Sequence, residues 1–253
     1  MKQNHQTKAS ILVIGNEILS GRTKDKNIGY IAEKLTEYGI NLLEARIIAD
    51  SKEEIKINIL ELSSKYDYVF TSGGIGPTHD DITTESIAYA FNLELEMNKE
   101  ALKRLENHYY GTDIKLNSAR RKMAIIPKGA TLIDNPVSAA PGFKINNVYV
   151  MAGIPRIMQS MLDNILSNLK KGPKNHSQTI SCSLGEGNVA EGIKIIQNDN
   201  PNVDIGCYPY FKAGNFGVSI VIRSINKAEI NNVLLDVKNL IIKLGGEPKI
   251  ITN

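Results

Sequence analysis

The feature that most constrains this chain is a glycine-rich segment at residues 69–85, which reads VFTSGGIGPTHDDITTE. An apolar, strand-like run leads into it, and a helical pattern begins near Thr83. The glycines between them are Gly73, Gly74 and Gly76. Glycine lacks a Cβ atom, so several backbone N–H groups can face one concavity, and the helix start adds partial positive charge. The segment therefore predicts a phosphate- or pyrophosphate-binding turn at the end of a strand.

Two carboxylates, Asp80 and Asp81, follow these glycines directly. Beside a bound phosphate they would be repulsive unless a divalent cation mediated between them, so we expect Mg²⁺ or Mn²⁺ here. The alternative is that the glycines only make a tight connection and the aspartates only complement the helix dipole. The segment matches neither the nucleotide P-loop pattern nor the dinucleotide G-x-G-x-x-G pattern.

Strand-like and helix-like segments alternate ahead of this turn. Apolar runs at residues 11–14, 40–48 and 67–71 have the length of buried strands, and helical patterns begin near Asn27 and after Ser51. This β-α-β-α-β order predicts an α/β fold in which helices cover both faces of a parallel sheet.

Acidic residues follow the first two of these strands, Glu17 after one and Asp50 after the other. Ligands collect outside the carboxyl ends of parallel strands, so we expect both residues to share a crevice with the glycine turn. Asp50 by itself is also typical of a helix cap, and His79 of a surface histidine rather than a ligand. Ser51 with Glu54 predicts a capping box for the helix that follows.

Further elements follow the glycine turn. A helix is predicted for residues 98–110, and the basic run 120–122 either neutralises ligand phosphates or forms a solvated helix face. The segment 135–142, NPVSAAPG, predicts a rigid loop. Asn146-Asn147 is typical of a hairpin, and Pro155 opens an amphipathic helix.

Residues 170–177 are the best candidate for a linker, which predicts domains at 1–172 and 173–253. Beyond it the pattern restarts in the order β-α-β-β-α-β, which predicts a small split-βαβ domain. The turn Gly185-Glu186-Gly187 is interpreted as a helix lead-in rather than a second active site.

The composition narrows the classes of function. The chain has 253 residues, a net charge of +3 and 6% aromatic residues, so nucleic-acid binding is not indicated. Apolar runs are shorter than a bilayer span and residues 1–10 lack a signal-peptide core, so we expect a cytoplasmic protein without membrane contact. Cys182 and Cys207 lie far apart in sequence and are expected to be reduced structural thiols.

These motifs, in this order, resemble the CinA family of competence/damage-inducible proteins. The resemblance rests on residues 14–19 with Gly21, Asp25 and Asn27, on 71–83, on 135–136 with 140–143, and on 153–155. Gly185-Glu186 and residues 203–209 resemble the KH-type accessory domain of the same family. Nearly the whole chain is therefore covered.

The resemblance implies a three-layer α/β/α, MogA-like molybdopterin-binding domain, followed by a small α+β KH-type domain. It implies one of two activities. The first is metal-dependent hydrolysis of ADP-ribose or a related dinucleotide to AMP; the second is non-hydrolytic binding of molybdopterin or a nucleotide, linked to molybdenum cofactor biosynthesis. The expected partners are a small nucleotide or pterin ligand and further copies of the chain. Nicotinamide-nucleotide amidase activity is not expected, because the sequence ends at Asn253.

The residue types of the glycine-rich segment and the resemblance to the CinA family together define the expected site. Its metal-binding carboxylates are Asp81, Asp80, Asp50 and Glu17, and Asp81 and Asp50 are expected to act in catalysis. The expected phosphate and nucleotide contacts are Ser72, Gly73, Gly74, Gly76, Pro77, Thr78, Thr83, Asn135, Pro141 and Gly142.

Two departures from the family pattern bear on hydrolysis. Ser138 stands where the family commonly has glycine, and its Cβ atom is expected to narrow the approach of a ligand. Ile157 stands where the family commonly has a glutamate, so a carboxylate is lost. If that carboxylate holds metal or activates water in the family, this chain is expected to bind its ligand with weakened hydrolysis.

Overall fold

The computed structural model describes residues 6–212 and 214–251, so the first five residues of the polar N-terminal stretch lie outside it. The chain divides into two compact units, residues 1–172 and 173–253. Each unit is described by itself below. None of the helices in the described part of the chain combines the length and the apolar composition of a membrane span.

The first unit is built on a six-stranded sheet. Its strands, with those of a two-stranded sheet, are β1 (Lys8–Ile14), β2 (Asn41–Ile48), β3 (Tyr68–Ser72), β4 (Leu95–Met97), β5 (Ile125–Pro127), β6 (Thr131–Ile133), β7 (Gly142–Ile145) and β8 (Val148–Met151). The order in the large sheet is β2-β1-β3-β8-β7-β6, and β4 pairs with β5. Strands β2, β1, β3 and β8 run parallel, whereas β7 and β6 continue the sheet antiparallel. The predicted parallel sheet is therefore confirmed for its first four strands.

Helices cover both faces of this sheet. They are α1 (Asn16–Leu19), α2 (Asn27–Glu37), α3 (Lys52–Lys65), α4 (Thr83–Ala90), α5 (Lys99–Tyr109), α6 (Ser118–Lys122) and α7 (Pro155–Leu166). Successive side chains of a strand point to opposite faces. Ile11 of β1 accordingly belongs to the core cluster formed with α2 and α7, and Leu12 to the cluster formed with α3. The result is the predicted mixed α/β fold in three layers.

Some of the turns and helix caps predicted from short sequence patterns are confirmed, and others are wrong. Asn146 has a φ of 52° in the β7–β8 hairpin, and Asn98 caps α5 by accepting a hydrogen bond from the Ala101 N–H over 2.9 Å. Ser51 precedes α3, but its side chain makes no capping hydrogen bond, so the predicted capping box is wrong. The β4–β5 pair was not predicted, because each of its strands has only three residues.

The second unit has the elements β9 (His176–Cys182), α8 (Glu186–Asp199), β10 (Asp204–Lys212), β11 (Asn215–Ser224), α9 (Lys227–Lys243) and β12 (Lys249–Ile251). Its antiparallel sheet has the order β10-β11-β9-β12, so β11 separates the two strands joined by α8, as a split βαβ unit requires. Strand β9 starts inside the predicted linker, which therefore ends before His176. Both cysteines are free thiols, and burial raises the pKa of Cys207.

Candidate functional site

The carboxyl ends of β1 and β2 bring two of the predicted acidic residues together. The last residues of these strands are paired in register, and just beyond them the N–H of Asn16 donates to Asp50 Oδ2 over 2.8 Å. The Glu17 carboxylate folds back over the chain, so that a Cβ atom on Gly15 would lie 2.7 Å from Glu17 Oε2. Glu17 and Asp50 therefore form an acidic corner at this edge of the sheet.

The glycine turn crosses over the end of β1. At Gly73 φ is +117°, and a Cβ atom there would lie 2.0 Å from the carbonyl oxygen of Ile14. At Gly74 φ is +68°, and a Cβ atom there would lie 2.2 Å from Thr83 Oγ1. The N–H of Thr83 closes the turn by donating to the Gly74 carbonyl oxygen over 2.9 Å. Only glycine fits at these two positions, because a side chain would be both strained and obstructed.

Three backbone N–H groups of this turn remain available to a ligand. Within the described part of the chain, the amides of Gly74, Ile75 and Gly76 donate no hydrogen bond. The Gly73 N–H is not available, because it donates to the Met151 carbonyl oxygen over 3.1 Å, and its predicted phosphate contact is corrected accordingly. The free amides and the nearby N-terminus of α4 together suit an anion.

Asp81 turns its carboxylate back onto the glycine turn. Its Oδ2 accepts hydrogen bonds from the N–H of Thr78, over 2.8 Å, and from the Thr78 hydroxyl. A Cβ atom on Gly76 would lie 2.6 Å from this oxygen, so glycine is required for the approach. Thr78 and Pro77 are exposed on the turn.

Lys122, the last residue of α6, is bonded to the same segment. Its Nζ donates to the carbonyl oxygen of Asp81 over 2.9 Å and to that of Thr78 over 3.2 Å. Its neighbour Arg121 instead pairs with Glu106 at 3.5 Å on an exposed surface. The basic run is therefore not a uniformly solvated face, and nothing in its sequence distinguishes Lys122 before the fold is known.

A cavity of about 130 Å³ opens beside the glycine turn. Its apolar lining comes from Ile75, Leu95, Met123 and Ile125, and its remaining lining from Gly76, Asp81, Thr84, Glu85 and Lys122. Strands β4 and β5 and helix α6 supply one side of it. An apolar recess with a few polar groups has the chemical character of a small-molecule site, and at this volume it has room for only part of a nucleotide-sized ligand.

Two of the predicted phosphate contacts lie inside the protein. Ser72 is 1% exposed, and its hydroxyl accepts a hydrogen bond from Asn27 Nδ2 over 2.7 Å. Thr83 is fully buried beneath Gly74. Asn27 Nδ2 also donates to the Gly153 carbonyl oxygen over 2.8 Å, which ties α2 to the ends of β3 and β8. Ser72 and Thr83 therefore lie beneath the turn, where the Thr83 hydroxyl has no hydrogen-bond partner among the described residues, and their contact with phosphate stays a prediction.

The predicted contacts in the 135–142 loop are also internal. Asn135 is 6% exposed, and its Nδ2 donates to Ser138 Oγ over 2.7 Å and to the Ala140 carbonyl oxygen over 2.8 Å. Pro141 and Gly142 are buried where β7 begins. Asn135 therefore closes its own loop, and the contact of these three residues with a ligand stays a prediction.

Comparison with known proteins gives a family match in each unit. Residues 10–171 match the family described as probable molybdopterin binding domain. The chain belongs to this molybdopterin-binding family. Residues 174–244 match a second family, described as FAD synthase, middle domain.

Three relatives illustrate the likeness. A protein of Archaeoglobus fulgidus is 36% identical over 199 residues, which are 79% of this chain and 84% of that protein. A probable FAD synthase of Caenorhabditis elegans is 30% identical over 92% of this chain, but the match covers only 50% of that protein. A crystal structure from Thermoplasma acidophilum, described as CinA with unknown function, is 33% identical, with a TM-score of 0.60 over 66% of this chain and 99% of that chain. The molybdopterin-binding domain is thus CinA-like.

The carboxylates of this molybdopterin-binding domain do not form a metal site by themselves. Among the residues that the structure describes, no group of three or more His, Cys, Asp and Glu side chains could hold a metal ion. The predicted set of Glu17, Asp50, Asp80 and Asp81 is therefore corrected, because it is not gathered around one point. The donors fit Mg²⁺ or Mn²⁺ only where one or two carboxylates bind it and phosphate oxygens of a ligand complete its coordination.

The structure shows the contacts of Ser138 and Ile157, the two residues that depart from the family pattern. The Ser138 hydroxyl accepts the hydrogen bond from Asn135, so it is used within the loop. Ile157, in the first turn of α7, packs against the core cluster shared by α2 and α7. The position where the family commonly has a carboxylate is therefore apolar in this chain.

Proposed function

We propose that this chain binds a phosphorylated nucleotide or pterin at the glycine turn and hydrolyses a pyrophosphate bond of ADP-ribose type, releasing AMP. The observation that carries the proposal is the group of free amides at Gly74, Ile75 and Gly76 beside the Asp81 carboxylate. Amides aimed at one point stabilise the negative charge that develops on phosphate oxygens during attack.

The phosphates would lie on the free amides, near the positive end of α4. The cavity beside the turn would take the ring or sugar part of the ligand. Its apolar walls, Ile75, Leu95, Met123 and Ile125, suit a flat heterocycle, and Glu85 on the same lining can accept hydrogen bonds.

Asp81 and Asp50 are the carboxylates proposed to act in hydrolysis. With the ligand's phosphates they would hold Mg²⁺ or Mn²⁺, which supplies charge neutralisation and lowers the pKa of bound water. Water adds to one phosphorus, and the bond from that phosphorus to the bridging oxygen breaks. Asp50, whose Oδ2 accepts a hydrogen bond from the Asn16 N–H, would accept the water's proton.

A second candidate is non-hydrolytic binding of molybdopterin or a nucleotide. The family assignment of residues 10–171 supports it, as does Ile157 where the family commonly has a carboxylate. In that case the anion-binding turn and the cavity are retained and the hydrolytic chemistry is lost.

One experiment separates the two candidates. The full chain is incubated with ADP-ribose or FAD, with Mg²⁺, Mn²⁺ or no metal, and AMP is measured by chromatography. Metal-dependent AMP formation supports hydrolysis. Absence of AMP under all conditions, together with saturable binding of inorganic pyrophosphate by calorimetry, supports the second candidate, and absence of both contradicts a phosphate site at this turn.

Replacing Asp81 with Asn tests its role. The amide oxygen can still accept from Thr78, so the turn should persist, whereas the lost charge should reduce AMP formation by about a hundredfold or more. Asp113→Asn, which removes an exposed carboxylate in the same unit, is the matched control and should retain activity. Wild-type rates in Asp81→Asn would reject the assignment.

Two expectations from the family resemblance belong to this proposal: the second unit is KH-type, and the chain forms homo-oligomers. Light scattering of the full chain tests the second of them, and a monomeric mass over the micromolar range would contradict it.

A further inference from the structure

The ammonium group of Lys122 binds two carbonyl oxygens of one short segment. The acceptors belong to Thr78 and Asp81, at 3.2 and 2.9 Å, so a single side chain spans both ends of residues 78–81. The two residues also bond to each other, because the Asp81 carboxylate accepts from the N–H of Thr78 over 2.8 Å. Among the contacts of the described residues, Lys122 is therefore the one group outside this segment that bonds to both of its ends.

Charge explains why a lysine suits this position. Hydrogen bonds from an ionised donor are stronger than those between neutral groups, and an ammonium has three N–H donors. Two are used by carbonyl oxygens. The ammonium charge offsets the partial negative charge of these two carbonyl oxygens. The same segment also carries the negative charges of two aspartates, Asp80 and Asp81.

The position of this segment decides the geometry of the proposed site. The Asp81 carboxylate lies so close to Gly76 that a Cβ atom there would be 2.6 Å away. The segment thus fixes where the carboxylate stands relative to the free amides. Lys122 itself also lines the cavity beside the turn.

We propose that Lys122 is a positioning residue that fixes residues 78–81 and thereby sets the Asp81 carboxylate against the anion-binding turn. The inference deepens the proposed function and rests on it for its effect on ligand binding. The order that Lys122 imposes on the segment exists without ligand and can be measured separately.

The test compares Lys122→Met, which keeps the unbranched side chain up to the ε position and removes the ammonium group, with Lys122→Arg, which keeps the charge and donors. Lys103→Met, on the exposed surface of α5, is the control. Calorimetry measures the binding of inorganic pyrophosphate to the full chain, and hydrogen exchange measures the backbone amides of residues 76–83 without ligand. We expect Lys122→Met to weaken pyrophosphate binding about tenfold. We expect Lys122→Arg to bind within about threefold of wild type.

Amides of residues 76–83 should exchange faster in Lys122→Met than in wild type, with little change in Lys122→Arg or Lys103→Met. Unchanged exchange in Lys122→Met overturns the inference, as does faster exchange with wild-type affinity for pyrophosphate. If the wild type does not bind pyrophosphate, the proposed function has failed, and the exchange measurement alone decides whether Lys122 orders the segment.

Discussion

Gly73 and Gly76 lie in the same turn, but different constraints require glycine at each. Gly73 has a positive φ and lies under the Ile14 carbonyl oxygen, so both its conformation and its space exclude a side chain. Gly76 lacks a positive φ, and only the Asp81 carboxylate would obstruct a Cβ atom there. Glycine is therefore required at position 73 because the ends of β1 and β3 meet there. It is required at position 76 because the Asp81 carboxylate of the candidate site lies there.

Replacing Gly73 with Ala should destabilise the first unit strongly. The left-handed conformation and the collision with Ile14 together should cost about 3 kcal/mol of unfolding free energy. Gly111→Ala is the matched control, because Gly111 has a φ of +72° with no atom within 4 Å of its Cβ position, and it should lose only about 1 kcal/mol. Urea denaturation measures both, and equal losses would show that the contact with Ile14 is unimportant.

At the scale of elements, a charged network joins the edge strand β2 to α3. Glu44 accepts hydrogen bonds from Arg46 Nε at 2.6 Å, Lys65 Nζ at 2.8 Å and Tyr66 Oη at 2.6 Å. Arg46 also reaches Glu61 of α3 at 2.5 Å. Hydrogen bonds from Lys65, Tyr66 and Arg46, in that order of effect, lower the pKa of Glu44 to about 2.

This lowered pKa predicts how acid affects stability. The carboxylate is favoured in the folded state, so its contribution is complete above the ordinary pKa of 4.5 and is lost as pH falls from there toward 2. Because the network is partly exposed, we expect a contribution of about 1 kcal/mol. Urea unfolding at pH 6 and pH 3 should show a smaller acid loss in Glu44→Gln than in wild type. Equal losses in the two proteins would contradict the prediction.

At the scale of the whole molecule, each unit has its own apolar core. The second unit buries its own cluster, which includes Ile180, Val218, Ile220 and Val237, whereas the glycine turn, the acidic corner and Lys122 all belong to the first. The glycine turn, the acidic corner and the cavity beside the turn therefore lie between positions 15 and 125.

Residues 1–172 produced alone should fold and keep the candidate site. Pyrophosphate affinity should stay within about threefold of the full chain, because a compact unit with its own core can fold independently. Circular dichroism and calorimetry on the same sample measure folding and binding. A folded fragment without affinity would show that the second unit contributes to the site.

Much of the architecture could be predicted from local chemistry. The alternation of buried strands with amphipathic helices indicated the parallel sheet, and Asn146-Asn147 indicated the β7–β8 hairpin. The three-residue strands β4 and β5 could not be predicted, because such short segments carry no period. The capping box at Ser51 failed because a sequence pattern permits a side-chain hydrogen bond without requiring it.

The position of the candidate site in the fold could be predicted from the sequence, but the contacts of its individual residues could not. Residue types and spacing placed glycines and acidic residues at the carboxyl edge of the sheet, because parallel strands end together. Burial separated these residues from the exposed part of the turn: Ser72 and Asn135 are hydrogen-bonded within the protein, whereas the buried Thr83 hydroxyl has no partner among the described residues.

The sequence by itself determined the layered α/β fold, the glycine turn and the acidic residues beside it, since these depend on periodicity and on the conformational freedom of glycine. Only the tertiary structure decided that the Gly73 N–H donates to the Met151 carbonyl oxygen and that Lys122 bonds to both ends of residues 78–81. Both are contacts between segments far apart in the chain, and the distance between such segments is set by the packed core rather than by local sequence.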